Sequence, residues 1–590
     1  MNFLKNVLAS AIGTFLAFAI VIVVFIVMIF GAIASGSSGN KVAEVKENSV
    51  LHIKLDKPIV ERAGEENVKF NPATFQSTSS IGLNHFINDL QRAKNDDKIK
   101  GIFLEVESAA AMPSTLSDMR RALLDFKSSG KWIIAYSENY SQSGYYLASA
   151  ADELFMYPTG TFDWRGLASE LMFFKGMLDK LEIEAQVIRG PNNKFKSAVE
   201  PFMYDKMSDA NRQQISTYIG DIWNIMVQDI SASRGVAAEK LQSMADSLST
   251  RSNQNVIENG LISGLAYRDE VMKNIKTRLG TPDAADKEVK MVSLSKYHEP
   301  KDTKEGDKVA VVYAVGDIMS GEGDDETIGS DRIAKALKDA REDKDVKAIV
   351  LRVNSPGGSA LASDVIWRET ELIKASGKPF VVSMGDVAAS GGYYIACSAN
   401  KIYANANTIT GSIGVFGVIP NMQKFFNNKI GLTFDTYKTN AHADMISVTK
   451  PLDEFEMKAM QDMISDIYDD FTLKVAQGRG KTQAEIDSIG QGRVWSGEDA
   501  KQIGLVDEIG NLEDAVKAAA TLAGLSDYAT KDFPKMVDPF EAFIKELTGE
   551  QEEAVAKTIL GEHFRFYKEI KRMENMKGPQ ARLPYLLEIK

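Results

Sequence analysis

In the stretch GDVAASGGYYIA (385–396), Ser390 stands between two alanines and two glycines, ahead of an aromatic, apolar run. A small residue in a glycine-rich turn is the ordinary reading. A nucleophile is the other: glycines permit a tight strand-to-helix turn, and the first amides of a following helix are free to meet developing negative charge. A serine hydroxyl attacks well only when a base takes its proton. His442 is one candidate base, with Asp444 as the orienting carboxylate of a histidine-type triad. Lys196, in FKSAVEPF (195–202), is another. A lysine is ordinarily protonated at neutral pH, and burial among apolar groups is what frees its amine. Phe195, Ala198, Val199 and Phe202 supply such surroundings, whereas Glu200 opposes them if it faces inward.

The elements that must position these groups come in two copies. SIGLNHFINDLQRAKNDDKIKGIFLEV (80–106) aligns with TIGSDRIAKALKDAREDKDVKAIVLRV (327–353), at an offset of 247 positions. Residues 128–162 match 375–409, residues 221–235 match 466–480, and GLAYRDEV (264–271) matches GLVDEIGN (504–511). A period this long indicates two copies of one domain rather than a solenoid. Short β-branched runs such as IKGIFLEV and VKAIVLRV follow helical patterns and precede further helices. That βαβ rhythm predicts parallel sheets with right-handed crossovers. The helix ASDVIWRETELIKASG is expected to stop at Gly377.

A shared core accounts for what the copies have in common, so their differences are where chemistry is sought. Aligning Tyr145–Tyr146 with Tyr393–Tyr394 puts Gln142 opposite Ser390. The second copy has NSPGGSA (354–360), the first ESAAAMPS (107–114), without the paired glycines. Aligning Pro201 with Pro451 puts Lys196 opposite Ile446. One half therefore holds a lysine without a serine motif, and the other a serine motif without the lysine. Two halves of one active site would look like this.

NSPGGSA, AASGGYYIA, TGSIGVFG (410–417) and FKSAVEPF together strongly resemble the signal peptide peptidase A family, in its long, duplicated form. The resemblance covers about residues 48–525. It implies a membrane-bound serine protease with a Ser–Lys dyad, on a crotonase-like fold related to that of the Clp protease. Carried onto this chain, it implies Ser390 as nucleophile and Lys196 as general base. It further implies Ser412 as the hydroxyl that orients the lysine, and the amides of Gly391 and Gly358 as the oxyanion hole. The implied substrates are remnant signal peptides, the implied assembly is a homotetramer, and no cofactor or metal is implied. A crotonase-type acyl-CoA enzyme and a non-catalytic membrane scaffold are the competing readings.

The rest of the sequence bounds the setting. The chain has 590 residues and a net charge of −12, which disfavours nucleic acid as a partner. Its single cysteine, Cys397, rules out an intrachain disulfide, and the five histidines show no metal-ligand spacing. Residues 11–34 are almost purely apolar, enough to span a bilayer. A retained anchor (1–34) is expected, with a cleavable signal peptide as the rival because AIA (32–34) resembles a cleavage site. Lys5 and the amino terminus favour a cytoplasmic start, which puts the catalytic domains on the extracytoplasmic side of a bacterial inner membrane. The expected layout is a stalk (35–48), a first domain (49–300) supplying the lysine, a second (301–530) supplying the serine, and a C-terminal extension (531–590). The extension reads as charged helices followed by a terminal strand in RLPYLLEI.

Overall fold

The structure is a computed structural model that describes residues 13–18, 20, 44–63, 68–71, 76–281, 288–298, 306–536 and 578–583. The first repeat builds a parallel sheet from β1 (Ser49–Lys54), β2 (Ile99–Glu105), β3 (Trp132–Ser137) and β4 (Glu153–Met156). After these comes β5 (Glu184–Arg189), which belongs to another sheet, and then β6 (Gly264–Leu265) and β7 (Met291–Ser293). The order across the first sheet is β6-β4-β3-β2-β1-β7. The second repeat supplies β8 (Lys308–Val315), β9 (Asp317–Met319), β10 (Thr327–Gly329), β11 (Val346–Ser355), β12 (Gly357–Ser359) and β13 (Phe380–Ala389). It continues with β14 (Lys401–Ala404), β15 (Ile409–Gly411), β16 (Phe416–Asn421), β17 (Val494–Ser496), β18 (Glu508–Ile509) and β19 (Ala529–Phe533). Six of these, β18-β14-β13-β11-β8-β19, repeat the first sheet's order strand for strand. The expected duplicated α/β architecture is therefore present. The second sheet runs three residues beyond the expected limit at 530.

These strands form because both faces are covered. Val309 through Ala314 and Ala348 through Val353 are buried without a break, as β-branched runs inside parallel sheets require. The helices α1 (Leu83–Asn95) and α2 (Pro113–Lys127) cover the first sheet, and their equivalents α3 (Ser330–Glu342) and α4 (Ala360–Ala375) cover the second. Gly377 follows α4 at φ +80°, the left-handed turn expected of a helix stop.

The repeats are joined by buried polar groups as well as apolar packing. The Arg352 guanidinium lies 2.6 Å from Glu61 and 3.6 Å from Asp118, both of the first repeat. Asp386 accepts from the Thr115 amide and hydroxyl at 2.8 and 2.6 Å. Burial pushes the Asp118 carboxyl up to about 6, against the opposing pull of Arg352.

A third, mixed sheet crosses the boundary between the repeats, in the order β10-β9-β12-β20-β16-β5, where β20 is Gln580–Arg582. Here β5 of the first repeat lies antiparallel to β16 of the second over six residue pairs. This pairing brings the chain after β5 into the second repeat.

Of the apolar N-terminal stretch, residues 13–18 and 20 are described and helical; the rest of the expected anchor lies outside the described residues. Among the described residues, no helix is long and apolar enough to cross a membrane. The stalk up to residue 43 and the expected charged helices of the extension also lie outside the described residues. The described part of the terminal strand is β20, which starts two residues before RLPYLLEI.

Candidate active site

Strand β13 ends at Ala389 and the short helix α5 (Gly391–Ala396) begins two residues on. Ser390 is the hinge between them, with φ +55° and ψ −112°. A non-glycine residue there is strained, and such strain persists only where the surroundings hold it. The hold is visible: the Ser390 amide donates to the Gly411 carbonyl at 2.8 Å, and the Tyr394 amide donates back to the Ser390 carbonyl at 2.8 Å. The strain fixes where the side chain goes.

Lys196 arrives from the other repeat. After β5 the chain turns at Gly190, whose amide donates to the Val415 carbonyl, and Phe195 donates its amide to Gln491. Gln214, fully buried, clamps the same turn. Its side-chain nitrogen donates to the Ser197 hydroxyl at 2.8 Å, and its oxygen accepts from the Val494 amide at 3.1 Å. The Lys196 amine then lies 2.9 Å from Ser390 Oγ, and 3.1 Å from both Ser412 Oγ and the Ser412 carbonyl. Like Ser390, Ser412 has a positive φ, +52°.

Lys196 is 1% exposed, and no carboxylate pairs with it among the described residues. Burial alone holds its pKa well below the ordinary lysine value. Phe195, Ala198 and Val199 are buried around it, and the Phe416 ring lies 6.0 Å from the amine. Gly492 makes room for the stem: a Cβ there would stand 2.5 Å from the lysine's own Cβ. Phe202, by contrast, is half-buried and stacks on Phe174. Glu200 does not oppose the neutral amine. Its carboxylate accepts from the Ser208 amide and hydroxyl and from Asn211, at the start of the long helix α6 (Asp209–Arg234).

Gly358 and Gly391 frame the far side of Ser390. Gly357 has φ +94°, and a Cβ on Gly358 would collide with the Ile318 carbonyl at 2.0 Å. Both positions therefore require glycine, which brings the backbone against the serine turn. A Cβ on Gly357 would stand 2.7 Å from the Gly391 nitrogen, so the two glycine-bearing loops are in contact.

The rival base lies elsewhere. His442 packs on the Phe455 ring at 4.8 Å and meets Glu456 at 3.2 Å, while Asp444 pairs with Lys438 and Lys450, both at 3.1 Å. Chemically, the assembled groups can do acyl transfer: a buried amine, its pKa held down by burial, lies beside a hydroxyl, and two glycine-bearing segments pack against the serine turn. Sequence reasoning passed over Gln214, Gly492 and the insertion of β5. A glutamine on a helix and a glycine in GQGRVW (490–495) carry no chemical signature alone.

The chain matches the Peptidase family S49 model twice, over residues 125–281 and 373–526. It is 37% identical over 552 residues to Protease 4 of Salmonella typhi, covering 91% of this chain and 87% of that protein. It is 35% identical over 529 residues to Protease 4 of Haemophilus influenzae, covering 86% and 85%. It is 33% identical over 457 residues to the chloroplastic serine protease SPPA of Arabidopsis thaliana, covering 76% and 66%.

Proposed function

The chain belongs to Peptidase family S49 and is a serine protease; on that premise we propose that Ser390 is its nucleophile and Lys196 its general base. The observation that carries this reading is the 2.9 Å approach of a buried lysine amine, with no carboxylate partner among the described residues, to the Ser390 hydroxyl. In the proposed cycle, Lys196 Nζ takes the Ser390 proton as Oγ attacks the peptide carbonyl. The Gly358 and Gly391 amides stabilise the oxyanion. The lysine then passes its proton to the leaving amine, and water hydrolyses the ester by the same route in reverse. Ser412 keeps the amine aimed at Oγ through its hydroxyl and carbonyl.

Family membership favours protease chemistry over the acyl-CoA and scaffold readings. Remnant signal peptides are the proposed substrates, supported by a relative in Enterococcus faecium named as a putative signal peptide peptidase, 39% identical over 191 residues. The apolar residues 11–34 support anchoring in a bacterial inner membrane, with the catalytic domains outside the cytoplasm. A crotonase-like fold for each repeat fits the βαβ order. A homotetramer is the proposed assembly, as the resemblance implies. The second-repeat equivalent of β5 falls near 431–436, where Leu432 and Phe434 are each 50% exposed. That segment is free to add to a neighbouring copy as β5 adds to β16.

Peptide hydrolysis by wild type, Ser390→Ala, Lys196→Ala and His442→Ala tests the assignment. The first two variants are expected to be inactive and the third fully active. An active Lys196→Ala together with an inactive His442→Ala would overturn it.

A further inference from the structure

Just before Ser390, the ladder between β11 and β13 is interrupted. Val353 faces Met384 and Ser355 faces Ala388, so Asn354 alone stands opposite Gly385, Asp386 and Val387. The bulge carries the end of β13 to a new neighbour. Residues 381–383 pair with β14, whereas 387–389 pair with β15, whose Gly411 carbonyl receives the Ser390 amide. Bulges bend a strand and re-aim the side chains beyond them. Here the strand leads into the serine turn, and Asn354 itself leads into the loop of Gly357 and Gly358.

Asn354 fills the bulge with its side chain. Its oxygen accepts from the Val387 amide at 3.1 Å, and its nitrogen donates to Asp386 at 3.3 Å and to Glu61 at 3.1 Å. The fit is close: a Cβ on Gly385 would stand 2.9 Å from the Asn354 amide carbon. On the near side, Arg352 donates to the Met384 carbonyl at 3.0 Å and fixes where the bulge begins.

Asp386 carries this restraint to the first repeat. Helix α2 begins after Met112, whose side chain makes no cap, and the Thr115 amide in its first turn has no acceptor within the helix. Asp386 supplies one across the repeat boundary, taking the Thr115 amide and hydroxyl at 2.8 and 2.6 Å. Its carboxylate is buried at the positive end of the helix, where such charge-assisted bonds are strong. The equivalent pair in the first repeat, Glu107 and Asn139, also meets, at 3.3 Å, but at the surface, with the Asn139 oxygen turned to Thr161.

We propose that Asn354 and Asp386 are positioning residues that set the Ser390 turn against the Gly358 loop, and that through Thr115 they make this setting depend on the first repeat's helix α2. The proposal rests on the Ser390–Lys196 reading. The first repeat then contributes to the site twice, with a base through Lys196 and with a brace through α2.

Turnover of a peptide by the full chain, with inhibition by the matching peptide aldehyde, tests this. The aldehyde carbon bonds to Ser390 Oγ and sets its oxygen at the Gly358 and Gly391 amides, so its Ki reads how the turn and the loop are spaced. A protein that is merely less stable has fewer active molecules but an unchanged Ki. Asn354→Ala is expected to lower kcat about 100-fold, the scale of a reacting group about 1 Å out of place, with KM held and Ki raised by a similar factor. Thr115→Val, in the first repeat, lowers kcat about tenfold, the scale of one lost bond to a carboxylate. Thr115→Ser, which keeps the hydroxyl, turns over like wild type, and so does Glu107→Ala at the surface equivalent of Asn354. Wild-type kcat in Asn354→Ala, or a fall in kcat with Ki unchanged, would overturn the proposal. If Asn354→Ala does not fold, the Thr115 variants decide, and equal turnover by Thr115→Val and Thr115→Ser would overturn the brace. Peptide turnover by Ser390→Ala would instead overturn the nucleophile assignment itself.

Discussion

At the same place in two equivalent sheets, the first repeat carries Gln142 and the second Ser390. Gln142 is spent on structure: its side chain donates to the Gly166 carbonyl and accepts from the Arg165 and Gly166 amides, all at 2.9 Å. Ser390 is held in a strained turn with its hydroxyl against a lysine. The complementary position reverses the pattern, with Lys196 buried in the first repeat and Ile446 75% exposed in the second. Each repeat carries what the other lacks, and the proposed chemistry lies at the boundary between them. The fold need not change for this to happen. Only β5 must reach across.

The largest expected contrast comes from truncating the two equivalent positions. Ser390→Ala should lower peptide turnover by about 10⁴-fold or more, as removal of a catalytic serine does elsewhere. Gln142→Ala should leave turnover unaltered and cost about 1 kcal/mol in urea unfolding, because it removes the acceptor of two part-buried amides. Equal losses of activity in both variants would erase the distinction between the repeats.

Lys196→Met should match the serine variant in lost turnover yet be more stable than wild type at pH 7. The sign follows from burial. The folded-state pKa lies below the ordinary 10.5, so the unfolded chain binds the proton more readily between those two values. Wild type therefore gains stability as pH rises across that window, and the methionine variant lacks that slope. Melting curves at pH 7 and pH 9 measure it.

Arg352→Met leaves Glu61 and Asp118 buried without their cation. The expected cost is about 3–5 kcal/mol, read by urea unfolding, with turnover falling as the repeats separate. A smaller effect is expected of Ser412→Ala: about tenfold in kcat, the scale of one lost hydrogen bond, with KM held.

Much of this was legible in the sequence. The repeats, their βαβ order and the strand-to-helix turn at Ser390 are written in β-branched runs and glycines, which act locally. Lys196 was legible as a missing counterpart among apolar neighbours and through the resemblance that FKSAVEPF carries, because nothing in its spacing says which serine it meets. The route that joins them was not legible. EAQVIR (184–189) and QAR (580–582) have no strand signature strong enough to stand alone. They become strands because β16 and β12 offer them unpaired backbone, a tertiary cause that local propensity does not contain. Gln214 was silent for the same reason, since its value lies wholly in the turn it clamps.

The central claim, that an uncharged amine from one repeat activates a hydroxyl in the other, is tested most directly by the rate at which a phosphonofluoridate labels Ser390 as a function of pH. Labelling is expected to follow a base titrating well below 10.5 in wild type and to be abolished in Lys196→Met. Labelling of Lys196→Met at the wild-type rate, or a wild-type limb near 10.5, would contradict it.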